Sequence, residues 1–138
     1  MKTYTGVLNH LPSNGIFVFG SNTEGRHGKG AALIAVKNFG AKYGIAKGMQ
    51  GRSYAIVTKD LHQKVQPSIN YIDILYQIYD LYEFAENHPE LDFYIAYSGE
   101  GKNLNGYTPE QMADMFNFED IPKNIVFEEK FYEILKNF

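Results

Sequence analysis

Residues 17–32 read Phe-Val-Phe-Gly-Ser-Asn-Thr-Glu-Gly-Arg-His-Gly-Lys-Gly-Ala-Ala. A β-branched and aromatic run stops at Gly20, a polar loop punctuated by glycines follows, and a small-residue stretch with helical character begins at Ala31. Strand, glycine loop and helix start is the order in which α/β proteins hold phosphates. Glycine lets the main chain approach an anion, and the free N–H groups and positive dipole end of the helix then point at it. The spacing excludes the two commonest versions. A P-loop needs a glycine where Thr23 stands and a Ser or Thr where Gly30 stands, and Gly25, Gly28 and Gly30 run opposite to a dinucleotide fingerprint. The loop is a nonstandard anion loop or a glycine-rich surface loop without a ligand.

At 138 residues the chain fits one domain spanning 1–138, long enough to bury a core. No cysteine is present, which removes disulfides, thiolate metal sites and a thiol nucleophile. The start Met1-Lys2-Thr3-Tyr4 lacks a signal-peptide layout and no apolar run approaches a membrane span. The expectation is a soluble, cytoplasmic protein with no membrane partner. A formal charge of -3 argues against nonspecific nucleic-acid binding, which rests on a basic excess. His10, His62 and His88 are too dispersed to suggest a metal site, and no metal or cofactor is expected.

The elements alternate. A first strand fits Lys2 to Leu8, and a stronger one Gly15 to Phe19 after the turn residues Pro12, Ser13 and Asn14. A helix follows from about Gly30 to Phe39, with Leu33, Val36 and Lys37 at helical spacing. A second glycine-rich loop from Gly40 to Arg52 leads into a strand from Ser53 to Thr58. Ser68 reads as the N-cap of a long helix to about Asn87, whose buried face carries Tyr71, Ile74, Leu75, Ile78, Tyr82 and Ala85. A strand from Asp92 to Tyr97 opens into a third loop, Ser98 to Tyr107. Thr108-Pro109-Glu110-Gln111 then combines a cap, a proline at the first helical position and a reciprocal Gln. Asn124 to Phe127 reads as a strand and Glu128 to Asn137 as a closing helix.

Alternating strands and helices imply an α/β fold with parallel neighbours covered on both faces, and ligands bind such sheets at the carboxyl ends of the strands. All glycines except Gly6 and Gly15 lie between Gly20 and Gly51 or between Gly99 and Gly106. That clustering favours a ligand site, with all three loops converging on it, over a bare surface loop.

The order strand, Asn-containing loop, His-Gly-Lys-Gly-Ala-Ala, helix, then Tyr54-Ala55-Ile56-Val57-Thr58-Lys59 and a later strand with Gly99-Glu100-Gly101 resembles the macrodomain, a fold that binds ADP-ribose. It is most similar to the branch with terminal ADP-ribose protein glycohydrolases and DNA-acting antitoxin macrodomains. The resemblance implies a three-layer α/β/α domain with a mixed, mostly parallel sheet. It implies ADP-ribose or an ADP-ribosylated substrate as partner, and hydrolysis of an ADP-ribosyl linkage as a possible activity. Carried over by position, Ser21 and Asn22 would lie at the distal ribose, and Gly20 is a further ligand-binding position. Gly28, Gly30 and Ala31 would offer N–H groups to the pyrophosphate, and Gly99, Glu100 and Gly101 would grip it from the opposite side. Lys59 matches the lysine that attacks the anomeric carbon in that branch, chemistry open to an amine once it has lost its proton.

Two positions depart from the pattern. Asn103, beside an apparent insertion from Lys102 to Asn105, stands where the family has its catalytic Asp, and Gly6-Val7 stands where many macrodomains carry Gly-Asp for the adenine. Asp60 and Glu100 are the candidates for the missing carboxylate, or else solvated loop charges. His27 is a candidate for phosphate contact or proton transfer, or else a loop histidine. Tyr107 is the candidate for stacking on a base, against core or rim packing. Two further readings stand beside the first: a noncatalytic reader or sequestering protein for an ADP-ribose-derived ligand, and an enzyme acting on another nucleotide or sugar phosphate on this scaffold.

Overall fold

The computed structural model describes residues 2–101, 103–118 and 120–138. Met1, Glu119 and Lys102, where the apparent insertion begins, lie outside the described residues. Six strands and four helices form an α/β fold in chain order: β1 (Thr3–Tyr4), β2 (Gly15–Asn22), α1 (Gly30–Phe39), β3 (Gly48–Gln50), β4 (Ser53–Lys59), α2 (Tyr71–Glu86), β5 (Asp92–Ile95), α3 (Pro109–Phe116), β6 (Ile125–Glu128) and α4 (Glu129–Lys136). The sheet order is β1-β6-β5-β2-β4-β3. Every pairing is parallel except that of β3 with β4, so the sheet is mixed and mostly parallel.

The period of two along β2 divides the interior. Phe17 and Phe19 pack with Ala32, Ala35 and Phe39 of α1, whereas Ile16 and Val18 join the larger core with α2, α3 and α4. The face that α1 buries is Ala32, Ala35 and Phe39, while Leu33 and Val36, noted in the sequence for their helical spacing, are only half-buried. Alanines bring the helix axis close to the sheet, and Phe39 stacks on Phe17 at 4.7 Å. Each phenylalanine buried this way contributes roughly 2–3 kcal/mol of transfer free energy.

Several boundaries differ from the sequence reading for local reasons. The first strand stops at Tyr4, because the chain turns at Gly6, whose φ of 78° lies in the left-handed region. β2 runs on to Asn22, since the parallel ladder with β4 extends to the Asn22–Lys59 pairing. Gly48-Met49-Gln50, expected as loop, pairs antiparallel with β4, and Ser53 Oγ closes the connecting turn by donating to Gln50 O at 2.6 Å. β5 ends at Ile95, two residues short of the expected Tyr97. α2 begins at Tyr71 behind Asn70, because Ser68 Oγ is engaged elsewhere, accepting Asp60 N–H at 2.7 Å. At α3 the reciprocal cap forms: Gln111 N–H donates to Thr108 Oγ1 at 3.1 Å, and Thr108 N–H to Gln111 Oε1 at 2.9 Å. Glu128, expected inside the closing helix, is the last residue of β6 and caps α4.

Candidate functional site

Because β1, β6, β5, β2 and β4 run parallel, the segments leaving them emerge at one end of the sheet. Three adjoining hollows there make a single groove. The first, about 220 Å³, lies beyond β1 and β6 and is walled by Tyr4, Val7, Leu8, Ile34 and Glu128. The second, about 260 Å³, lies over β5 and β2 and is walled by Gly20, Gly30, Thr58, Tyr97, Glu100 and Asn103. The third, about 440 Å³, lies beyond β4 and is walled by Ser21, Asn22, Arg26, Gly28, Tyr43 and Lys59. Gly30, Ala31, Ala96 and Ser98 border the first two sections, and Gly20, Lys29, Ala32, Thr58, Leu104 and Asn105 the second and third.

The N-terminus of α1 opens into the middle of this groove. Lys29 sits extended at the N-cap without a side-chain cap bond, and no acidic residue occupies the first turn. The first helical N–H to find an acceptor is that of Leu33, on Lys29 O at 3.3 Å. Among the described residues the N–H groups of Gly30, Ala31 and Ala32 have no intramolecular acceptor, so the donors that every helix leaves open at its start face the groove. Gly30 itself has φ 57°, a conformation that costs an L side chain and leaves glycine free. Lys29, Lys59 and Arg26, the last paired with Glu24 at 3.3 Å, border the third section, and among the described residues no carboxylate is one of its walls. The field there favours an anion.

Of the expected site residues, Gly20, Ser21, Asn22, Gly28, Gly30, Ala31, Lys59, Glu100 and Asn103 border the groove. Several are already engaged. The Asn22 side chain braces its own loop, donating to Arg26 O at 2.8 Å and accepting Arg26 N–H at 2.9 Å. Asn103 Nδ2 donates to Tyr107 O at 3.0 Å. Glu100 stands on the rim in an ion pair with Lys130, two thirds exposed. Lys59 is half-buried at the end of β4, and its carbonyl accepts Thr23 N–H at 3.0 Å, which ties the β2 and β4 loops together.

Five expected residues lie off the groove. His27 is 1 % exposed, edge-on to Phe19, with Nε2 3.0 Å from Ile45 O. It pins the glycine loop to the 41–47 segment. Tyr107 is buried, donates to Ile69 O at 2.5 Å and packs edge-on against Tyr71, which leaves no ring face for a base. Asp60 turns its carboxylate into its own loop, accepting His62 N–H at 2.9 Å. Gly99 packs against α4, where a Cβ would run into the main chain of Lys130. Gly101 is exposed and borders none of the three sections. The convergence of three glycine loops is also only partial. Gly44 N–H supports the first loop through Gly25 O at 2.8 Å, but Gly40 and Gly51 pack against each other at the amino-terminal end of β4.

The structure adds to the groove Thr58, Asn105 and Glu128, which sequence reasoning missed, and Tyr97, which the sequence offers only as one of four loop-flanking tyrosines that could stack on a base. Thr58, Tyr97 and Glu128 are polar residues at or within two residues of a strand end, which is the signal that was available, whereas Asn105 lies deep in the loop after β5. Burial pushes the Glu128 carboxyl up, but the N–H groups of Gly99, Lys130 and Phe131 and the Ser98 hydroxyl outweigh this and hold it below its ordinary value. Beside it, burial chiefly, and then the Glu128 charge, push the Tyr4 phenol up; its hydroxyl donates to Ile95 O at 2.6 Å.

Among the described residues no group of three or more His, Asp or Glu side chains gathers in a metal-holding arrangement, and no helix is long and apolar enough to cross a membrane. No protein-family model, curated protein or solved structure matches the chain.

Proposed function

We propose that the chain is a three-layer α/β/α protein of the macrodomain type that binds ADP-ribose or a related ADP-ribosyl compound along this groove. The observation that carries the reading is the order of the three sections around an uncapped helix start. An apolar end holds Val7, Leu8 and Ile34, a middle presents free main-chain N–H groups, and a cationic end holds Lys59. A nucleoside suits the first, a diphosphate the second and a terminal ribose the third. Backbone donors and a helix dipole hold phosphate without a dedicated cation.

The position of Lys59 in the third section supports a second reading, hydrolysis of an ADP-ribosyl linkage through a lysine adduct. An amine attacks an anomeric carbon only after losing its proton. The two carboxylates available for that step are occupied, Asp60 in its own turn and Glu100 with Lys130. Binding without turnover is the better supported of the two.

Calorimetry and thermal melting with ADP-ribose, AMP and NAD test the primary reading. Saturable heat and a raised melting temperature with ADP-ribose are expected. Silence from all three ligands overturns the reading, and a stronger response to AMP than to ADP-ribose redirects it to another nucleotide. Incubation with glutamate-linked and DNA-linked ADP-ribose, comparing wild type with Lys59→Ala, separates the two activities. A binder releases nothing, a lysine-dependent hydrolase loses release in the variant, and equal release by both rejects Lys59 as nucleophile.

A further inference from the structure

We infer that the phenolic hydroxyl of Tyr97 is a binding donor for the groove's occupant, received by a phosphate oxygen where the middle and third sections meet. The inference rests on the groove reading above and adds a side chain to it.

Tyr97 is 6 % exposed, and among the described residues its hydroxyl has no hydrogen-bond partner. Other tyrosines of the interior do not share this. The hydroxyls of Tyr4, Tyr82 and Tyr107 end on the carbonyls of Ile95, Phe116 and Ile69 at 2.6, 2.6 and 2.5 Å. A buried hydroxyl left unpaired carries a standing penalty that a phenylalanine would avoid. Packing gives no reason to retain it. The Tyr97 ring lies among Phe116 and Phe131, with centroids 6.0 and 6.3 Å away, in a chain that uses phenylalanine freely.

The position of the hydroxyl supplies the reason. A Cβ on Gly20 would stand 2.5 Å from Tyr97 Oη and 3.1 Å from Thr58 Oγ1, so both hydroxyls lie over a strand residue that has no side chain to fill the space. Gly20, Thr58 and Asn105 border both the middle and third sections, as does Lys29 at the start of α1. The orphaned donor therefore lies under the floor beside the open N–H groups of Gly30 and Ala31. Leu104, 61 % exposed, borders the same junction. Burial pushes the phenol up to about 12, with the neighbouring polar side chains of Thr58 and Asn105 offsetting part of the rise, so the group remains a donor through the neutral range. His27 Nδ1 is also buried without a partner, but it lies off the groove and does not share this role.

The test is Tyr97→Phe, measured by thermal melting and by calorimetry with ADP-ribose and, separately, with inorganic pyrophosphate. The expected result is a variant that melts at or above the wild-type temperature yet binds about tenfold more weakly. Equal affinity of the two proteins for a ligand the wild type binds overturns the inference, and so does a variant that melts well below wild type, since the hydroxyl then has an internal structural partner. If the wild type ignores ADP-ribose but binds pyrophosphate, and the variant binds it more weakly, the ADP-ribosyl reading falls and the Tyr97 donor stands. If the wild type binds neither, both fall.

Discussion

Gln77, on the buried face of α2, pairs its side-chain amide with the main chain of Val57: Nε2 donates to Val57 O and Oε1 accepts Val57 N–H, each at 2.7 Å. β3 pairs with β4 only as far as Ala55, so beyond that residue Gln77 stands in for the missing neighbour strand and keeps the carboxyl end of β4 in the sheet. Lys59 lies two residues further on. Gln77→Leu preserves bulk but leaves both main-chain groups without partners. It should lower stability by about 1–3 kcal/mol in urea denaturation. Faster amide exchange at Val57 should accompany the loss, and unchanged exchange there would contradict the role given to Gln77.

Glu128 ties the end of β6 to the loop leaving β5, accepting Gly99 N–H at 2.7 Å and Lys130 N–H at 2.8 Å. Its folded value lies below the ordinary 4.5, so its contribution is complete above that pH and is lost as pH falls through the lowered folded value. Glu128→Gln should therefore be less stable than wild type at neutral pH, by about 1–3 kcal/mol. The gap should close in acid. Denaturation at a series of pH values reads this directly, and a gap that widens below pH 4.5 would have the wrong sign.

Two glycines of the same sequence character should behave oppositely. A Cβ on Gly51 would stand 2.6 Å from Gly40 O, at φ 61°, so Gly51→Ala should cost more than about 1 kcal/mol and leave the groove chemistry alone. A Cβ on Gly28 meets nothing within 4 Å and borders the third section. Gly28→Ala should fold as well as wild type and bind ADP-ribose more weakly. Melting curves with and without ligand distinguish the two substitutions.

His27 and Tyr107 should affect stability rather than affinity. His27→Ala empties a site between Phe19 and the 41–47 segment and should cost about 2–4 kcal/mol by the usual penalty of a cavity plus a lost buried hydrogen bond. Tyr107→Phe removes the bond to Ile69 O and should cost about 1 kcal/mol. Ligand affinity measured on the folded fraction should change little in either case. Because phenylalanine keeps the ring, stacking on a base is read instead from Tyr107→Leu, where a large affinity loss on the folded fraction would revive that contact.

The strand, loop and helix from Gly15 to Phe39 were legible because alternation, glycine punctuation and helical spacing are all local signals. β3 was not, since Gly48-Met49-Gln50 has no strand character of its own and is extended only by pairing with β4. His27 read as a ligand because its chain neighbours are Arg26 and Gly28. Its actual surroundings, Phe19, Tyr43 and Ile45, come from β2 and a segment beyond α1. The meeting of Thr58 and Tyr97 over Gly20 depends on β5 and β4 flanking β2, a sheet order that no single stretch of sequence encodes.

If main-chain donors around the start of α1 hold an ADP-ribosyl ligand, an amide-resolved NMR titration with ADP-ribose reads those donors one by one. Saturable shifts should concentrate at residues 28–32, at Lys59 and in the segment from Ser98 to Asn105, with the outer face of α2 around Tyr76 unmoved. Shifts centred on α2, or no saturable shift at residues 28–32, would contradict it.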